Sequence, residues 1–168
     1  MKVIIACILL ICNSGYAKWH DNYKEAKKIA TLEEKPLLIV FLGPNWCPWS
    51  DQLEVEVLAS NAFLENLEKE VVLLKVDIPE DFDEEGYPGQ DLKKRFHVEE
   101  CPSLVLVESS GEEIAKLSYL PIDQKEFATY IKETLSDHRK VSRITKQQLD
   151  KLKVEELKSL YAKAGRLA

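Results

Sequence analysis

The chain has 168 residues, 45% hydrophobic and 31% charged, with a formal net charge of -6 at pH 7. That length holds one domain with a buried core, and the composition excludes a disordered or collagen-like chain. The charge is unevenly placed: residues 18–138 carry 13 Lys/Arg against 26 Asp/Glu, whereas residues 139–168 carry nine against three. An acidic body with a basic tail argues against nucleic acid as the main ligand.

At the N-terminus, Lys2 precedes the nine-residue apolar run Val3 to Ile11, and Gly15-Tyr16-Ala17 follows. A basic start, a short apolar centre and small residues at a cut site form the pattern of a signal peptide, expected to be cleaved after Ala17. Such a run falls short of the ~20 residues that span a bilayer. The expected destination is the periplasm or the exterior, with no integral membrane segment after cleavage. Loss of residues 1–17 removes Cys7 and Cys12 and leaves Cys47 and Cys101, in a compartment where disulfides persist.

Trp19, Tyr23, Ala26 and Ala30 recur at helical spacing and predict an amphipathic helix over residues 20–34. Pro36 stops it. Leu37 to Leu42 is then a continuous apolar run, as in a strand buried on both faces. Gly43 and Pro44 break that strand. Trp49, Leu53 and Val57 mark a helical face ending near Ser60, and residues 62–69 form a second short helix. Val71 to Ile78 is a second buried strand. Pro79 to Gly89, with two prolines, two glycines and five acids, is a loop. Leu92 and Phe96 lie on a short helix. Ser103 to Val107 is a strand, residues 109–112 a turn, and Ile114 to Tyr119 the returning strand. Phe127, Tyr130, Ile131, Thr134 and Leu135 define a helix after Pro121. This order implies an α/β class: a parallel pair joined by a right-handed crossover, then an antiparallel hairpin, in a mixed sheet covered by helices. Cys47 then sits at the C-terminal edge of the first buried strand, where sites in open α/β sheets lie.

The run Asn45-Trp46-Cys47-Pro48-Trp49-Ser50 reads as a redox motif of the Cys-x-x-Cys type with Ser50 in place of the second cysteine. At a strand-to-helix junction, free backbone N–H groups and the positive end of the helix favour a thiolate, the nucleophilic form. Pro48 suits the first helical position, where its missing N–H costs nothing. Trp46 and Trp49 flank the thiol and either limit water or present a surface to a polypeptide. The Ser50 hydroxyl can donate a hydrogen bond to the Cys47 sulfur but cannot displace it from a disulfide. The competing reading is a buried, inert cysteine.

These residues resemble the thioredoxin-like superfamily, in the branch of periplasmic DsbH-type disulfide reductases and anterior-gradient-like proteins. The resemblance covers roughly Trp19 to Asp137. It is carried by Lys35 to Phe41, Asn45 to Ser50, Leu53 to Asn61, Val71 to Asp77 and Glu100-Cys101-Pro102-Ser103. It implies a thioredoxin-like fold with a mixed central sheet, and thiol–disulfide oxidoreductase or isomerase activity on cysteine-containing polypeptides, without a cofactor. It makes Cys47 the attacking cysteine and Pro102 a cis-proline that lines the site and orients extended substrate. In that fold the residue before the cis-proline faces the reactive thiol, which makes Cys101 a candidate partner of Cys47. Whether Cys101 resolves the mixed disulfide, or an external thiol or reducing partner does, stays open. Many relatives also carry a buried acid in the strand before the motif, and Leu37 to Leu42 contains none.

The expected organisation is a signal peptide over 1–17, a thioredoxin-like domain over 18–138 and a basic helical tail over 139–168. A non-catalytic alternative is a chaperone or client-binding protein holding clients through Cys47 or the Trp46/Trp49 surface. His97, Cys101 and Cys47 are soft-metal ligand types, but with His97 on the short helix and Cys101 after it their spacing does not assure an approach; a soft-metal carrier is a third, weaker reading, and no metal ligands are assigned. Asp81, Asp83, Glu85 and Gly86 imitate the start of a calcium loop; Leu92 stands where its glutamate is required. In the tail, Thr145 with Gln148 forms a capping box and Gly165 suits a helix stop. Leu149, Leu152, Leu157, Leu160, Tyr161 and Ala164 supply an apolar face with a phase slip near Lys153, expected to pack on the body, self-associate or meet a partner.

Overall fold

The structure, a computed structural model, describes residues 19–143 together with Glu156, Lys158, Ser159, Ala162 and Lys163. The expected leader and its cleavage site lie outside the described residues, as do Thr145, Gln148, Gly165 and the leucines and Tyr161 of the tail. In chain order the elements are β1 (Trp19–His20), α1 (Tyr23–Glu33), β2 (Leu37–Leu42), α2 (Pro48–Leu53), a π-helical turn (Glu54–Leu58), α3 (Asn61–Leu67), β3 (Val72–Asp77), α4 (Gln90–Arg95), β4 (Ser103–Val107), β5 (Glu113–Ser118) and α5 (Gln124–Ser142).

The sheet has five strands in the order β1-β3-β2-β4-β5, with β1, β3 and β2 parallel and β4 and β5 antiparallel. β2 is the centre, and all six of its residues are buried. Alternation divides them between two cores. Leu38, Val40 and Leu42 face one side with Phe63, Phe127, Ile131 and Leu135, under α2, α3 and α5. Leu37, Ile39 and Phe41 face the other with Ala26, Ala30, Leu92 and Phe96, under α1 and α4. A strand clad on both faces is why Leu37 to Leu42 reads as an unbroken apolar run. The mixed sheet covered by helices matches the expected α/β class.

Three features differ from the expectations. First, Trp19 and His20 are not helical: they pair in parallel with Leu73 and Leu74 as an edge strand. Asn22 starts α1 instead, its Oδ1 accepting the Glu25 N–H at 3.2 Å. Second, the helix after Cys47 is two pieces, α2 and the π turn, before Ser60 caps α3 by accepting the Phe63 N–H at 3.2 Å. Third, α5 runs on to Ser142, past the boundary drawn at 138, and places Arg139 and Lys140 in its last turn, favourably for the helix dipole.

The end of α5 lies far from Cys47. His138 Nε2 is 2.8 Å from Glu108 Oε1, beyond Val107 at the end of β4, whereas Cys47 follows the opposite end of β2. Lys163 Nζ lies 3.6 Å from Asp137 Oδ1, so the described part of the tail touches the body at that pole. No described helix is long and apolar enough to cross a membrane.

Candidate active site

Cys47 is the N-cap of α2, with extended backbone, and its thiol side chain is 7% exposed. The turn that delivers it is built from glycine and asparagine. A Cβ on Gly43 would overlap the Trp46 ring, and Asn45 adopts a positive φ of 67°, which asparagine tolerates better than most residues. The Cys47 N–H donates to Gly43 O at 2.9 Å, and Cys47 O accepts from Ser50 and Asp51 N–H at 2.9 and 3.2 Å. Pro48 occupies the first helical position, as expected.

The two tryptophans have different surroundings. Trp46 is half-buried: its Nε1 donates to Ile78 O at 2.9 Å and its ring meets Phe82 edge-on at 5.7 Å. It anchors the loop after β3. Trp49 points outward and is 59% exposed, with its ring 6.4 Å from that of Tyr119. Leu120 is also exposed. Ser103 pairs with Ser118, which sets Tyr119 and Leu120 at the same sheet edge as Pro102.

Ser50 is 1% exposed, and its Oγ accepts the Gly43 N–H at 3.0 Å. Among the described residues no hydrogen bond joins its hydroxyl to the Cys47 thiol. The Ser50 hydroxyl thus holds the turn closed. The Cys47 thiol instead donates to the backbone carbonyl of Cys101 at 3.1 Å, and the Cys101–Pro102 peptide bond is cis. Fold topology therefore brings Cys47, Cys101 and Pro102 together, across 54 residues of sequence.

Both cysteines are free thiols. Burial, reinforced by the nearby Cys47 charge, pushes the Cys101 thiol up to about 12, with Lys93 opposing and Glu100 adding to the rise. The Cys101 side chain packs against the core shared with Tyr87, Phe82 and Trp46. The Tyr87 hydroxyl is buried without a hydrogen-bond partner, and burial followed by the Cys101 charge raises its pKa. His97 is exposed at the end of α4, with φ 47°. Among the described residues no group of three His, Cys, Asp or Glu side chains is arranged to hold a metal.

The family described as a thioredoxin-like domain matches residues 23–135, a span that includes β2 to β5 and both cysteines. The chain belongs to the thioredoxin-like family. Its fold is thioredoxin-like: the structure of a protein titled DsbH oxidoreductase superposes with a TM-score of 0.64 at 23% identity, over 73% of this chain and 86% of that one. The disulfide bond reductase DsbH of Chlamydia pneumoniae is 25% identical over 118 residues, 68% of this chain and 71% of that protein. The thioredoxin-related protein DsbJ of the same organism is 28% identical over 102 residues, 59% of this chain but 29% of DsbJ.

Sequence reasoning missed four neighbours in this thioredoxin-like site. Tyr87 and Lys93 lie beside Cys101; Tyr119 and Leu120 lie beside Trp49. The hairpin register was the available signal for the second pair, because it sets residue 119 opposite residue 102. The raised Cys101 pKa also has a pH consequence. Between its ordinary value of 9.0 and about 12, the folded chain keeps a proton that the unfolded chain has lost. Stability therefore falls as pH rises across that window. Thermal melts across it should show a steeper loss for the natural chain than for Cys101→Ala; identical slopes would exclude Cys101 as a contributor.

Proposed function

We propose that the chain is an exported thiol–disulfide oxidoreductase or isomerase acting on cysteine-containing polypeptides through Cys47. The observation that carries this reading is the position of the Cys47 thiol, at the head of α2 and in contact with the backbone of the cis-proline loop. Membership of the thioredoxin-like family, and relatives named as a disulfide bond reductase and a thioredoxin-related protein, support the same class of chemistry. The leader pattern supports export.

The Cys47 thiolate attacks a client disulfide, forms a mixed disulfide and releases one client thiolate, which takes a proton from solvent. Ser50 has no sulfur to offer for the second step. A second thiol completes it, from Cys101 or from a small external thiol. β2 supplies no acid to relay protons, since all its side chains are apolar and buried. Pro102, Pro48 and Trp49 border the thiol and are the surfaces that meet the client, while Trp46 supports them from beneath.

Reduction of insulin disulfides with glutathione as the terminal reductant tests this reading. The chain should accelerate reduction catalytically over glutathione alone. A chain whose Cys47 alkylates normally yet gives no acceleration would overturn it. The exposed Trp49, beside Tyr119 and Leu120, favours a second reading as a non-catalytic client-binding protein. Stoichiometric capture of reduced clients without turnover would select that one.

A further inference from the structure

Resting on the reading of Cys47 as the attacking thiol, we infer that Cys101 is the resolving cysteine: the two close a reversible disulfide between the head of α2 and the cis-proline loop. Three observations carry it. The first is contact. Cys47 Sγ lies 3.1 Å from the Cys101 carbonyl oxygen, which puts the two residues within one side chain's reach. A disulfide spans Cα atoms about 4.4–6.8 Å apart, and closing it requires the Cys101 side chain to turn from its packing beside Trp46, Phe82 and Tyr87 toward Cys47 Sγ. The second is the state of Ser50. Its hydroxyl is committed to the Gly43 N–H and carries no sulfur, so the usual resolving position is closed.

The third is an electrostatic order of events. Cys101 is held protonated first by burial and next by the negative charge of Cys47. When Cys47 enters a mixed disulfide its sulfur becomes neutral, and that second contribution disappears. The Lys93 ammonium, which favours the Cys101 thiolate, remains. Lys93 is fixed in place by a hydrogen bond to Phe82 O and by its position 4.4 Å over the Phe82 ring. Burial still raises the Cys101 pKa after Cys47 has reacted, but the restraint is weaker than while Cys47 is free. Cys47 attacks first and Cys101 second.

The chemistry balances as follows. The Cys47 thiolate breaks the client S–S bond, forms one S–S bond to the client and expels one client thiolate. Cys101 gives its proton to solvent, and its thiolate attacks Cys47 Sγ. The mixed disulfide breaks, the second client thiolate leaves and is protonated, and the Cys47–Cys101 bond forms. The client gains two electrons and the enzyme loses two. A low-molecular-weight thiol, oxidised to its own disulfide, restores the enzyme.

The test uses the full chain and hydroxyethyl disulfide, a small neutral disulfide. The reduced protein is exposed to it, quenched with N-ethylmaleimide at intervals and mapped by proteolysis and mass spectrometry. In the natural chain the adduct on Cys47 should be transient and should give way to a linked pair of peptides containing Cys47 and Cys101. In Cys101→Ser and in Cys101→Ala the adduct should persist, decaying at about a tenth of the natural rate or slower, because an intramolecular thiol acts at high effective concentration. Equal adduct lifetimes in all three proteins, with no linked peptides, would overturn the inference and leave the proposed activity standing. A Cys47 that forms no adduct in any of them would overturn that activity and this inference together.

Discussion

Cys47→Ser should reduce disulfides no faster than the small thiol present in the assay. A serine hydroxyl at neutral pH does not attack sulfur, so the covalent step is lost and not merely slowed. The same substitution should leave the fold almost untouched. Serine occupies nearly the same volume, and its hydroxyl can still donate to Cys101 O, where the thiol now donates at 3.1 Å. The expected change in stability is within about 1 kcal/mol, the scale of one net hydrogen bond. Insulin reduction and chemical denaturation measured on the same preparation give both numbers. Retention of full turnover would exclude thiol catalysis at this site. Loss of turnover with a collapse in stability would assign Cys47 a structural role.

Phe127→Ala should cost about 3–5 kcal/mol of folding free energy, a large share of the ~5–15 kcal/mol typical of a native domain. Phe127 is fully buried on the first turn of α5. Its ring lies 6.2 Å from Phe63, 6.2 Å from Tyr119 and 6.3 Å from Tyr130. Removing it opens a void where α3, α5 and the end of β5 meet, and rigid neighbours on three sides limit collapse into it. Tyr119 is shared between Phe127 and Trp49, so the void also loosens the support of the exposed ring beside Cys47. Urea denaturation at 25 °C measures the loss directly. A cost below about 1 kcal/mol would mean that these rings repack freely and do not brace the site.

What was legible in the sequence depended on how far each signal reached along the chain. β2 was readable because burial on both faces leaves an unbroken apolar run. The β4–β5 hairpin was readable from Ser109-Ser110-Gly111 between two apolar stretches. Cys47 and Ser50 were readable because the redox motif is contiguous. β1 was not: two residues show no periodicity, and their strand character comes only from pairing with Leu73 and Leu74. The π turn was not, because over five residues its side-chain period cannot be told from that of an α-helix. The Ser50 hydroxyl is of a type that can donate to the thiol beside it, but that it accepts a backbone N–H seven residues back was not legible, because only tertiary structure sets the closure of that turn. Tyr87 and Lys93 come to the site from distant segments, and no local pattern marks them.

The brevity of β1 bears on how the chain behaves among unfolded partners. Its pairing ends at His20 and Leu74, so among the described residues no strand pairs with the outer side of Lys75, Val76 and Asp77. An unsheltered margin of this kind is where an extended foreign chain adds itself as another strand, the first step toward aggregates. Here the margin is short and carries two charged residues. Lys75 is held by Glu54 and sits 5.0 Å over the Trp19 ring, so its ammonium stays at the rim of the sheet. For a protein proposed to act on other chains beside the buried Cys47 thiol, such a margin offers those chains no foothold away from the site.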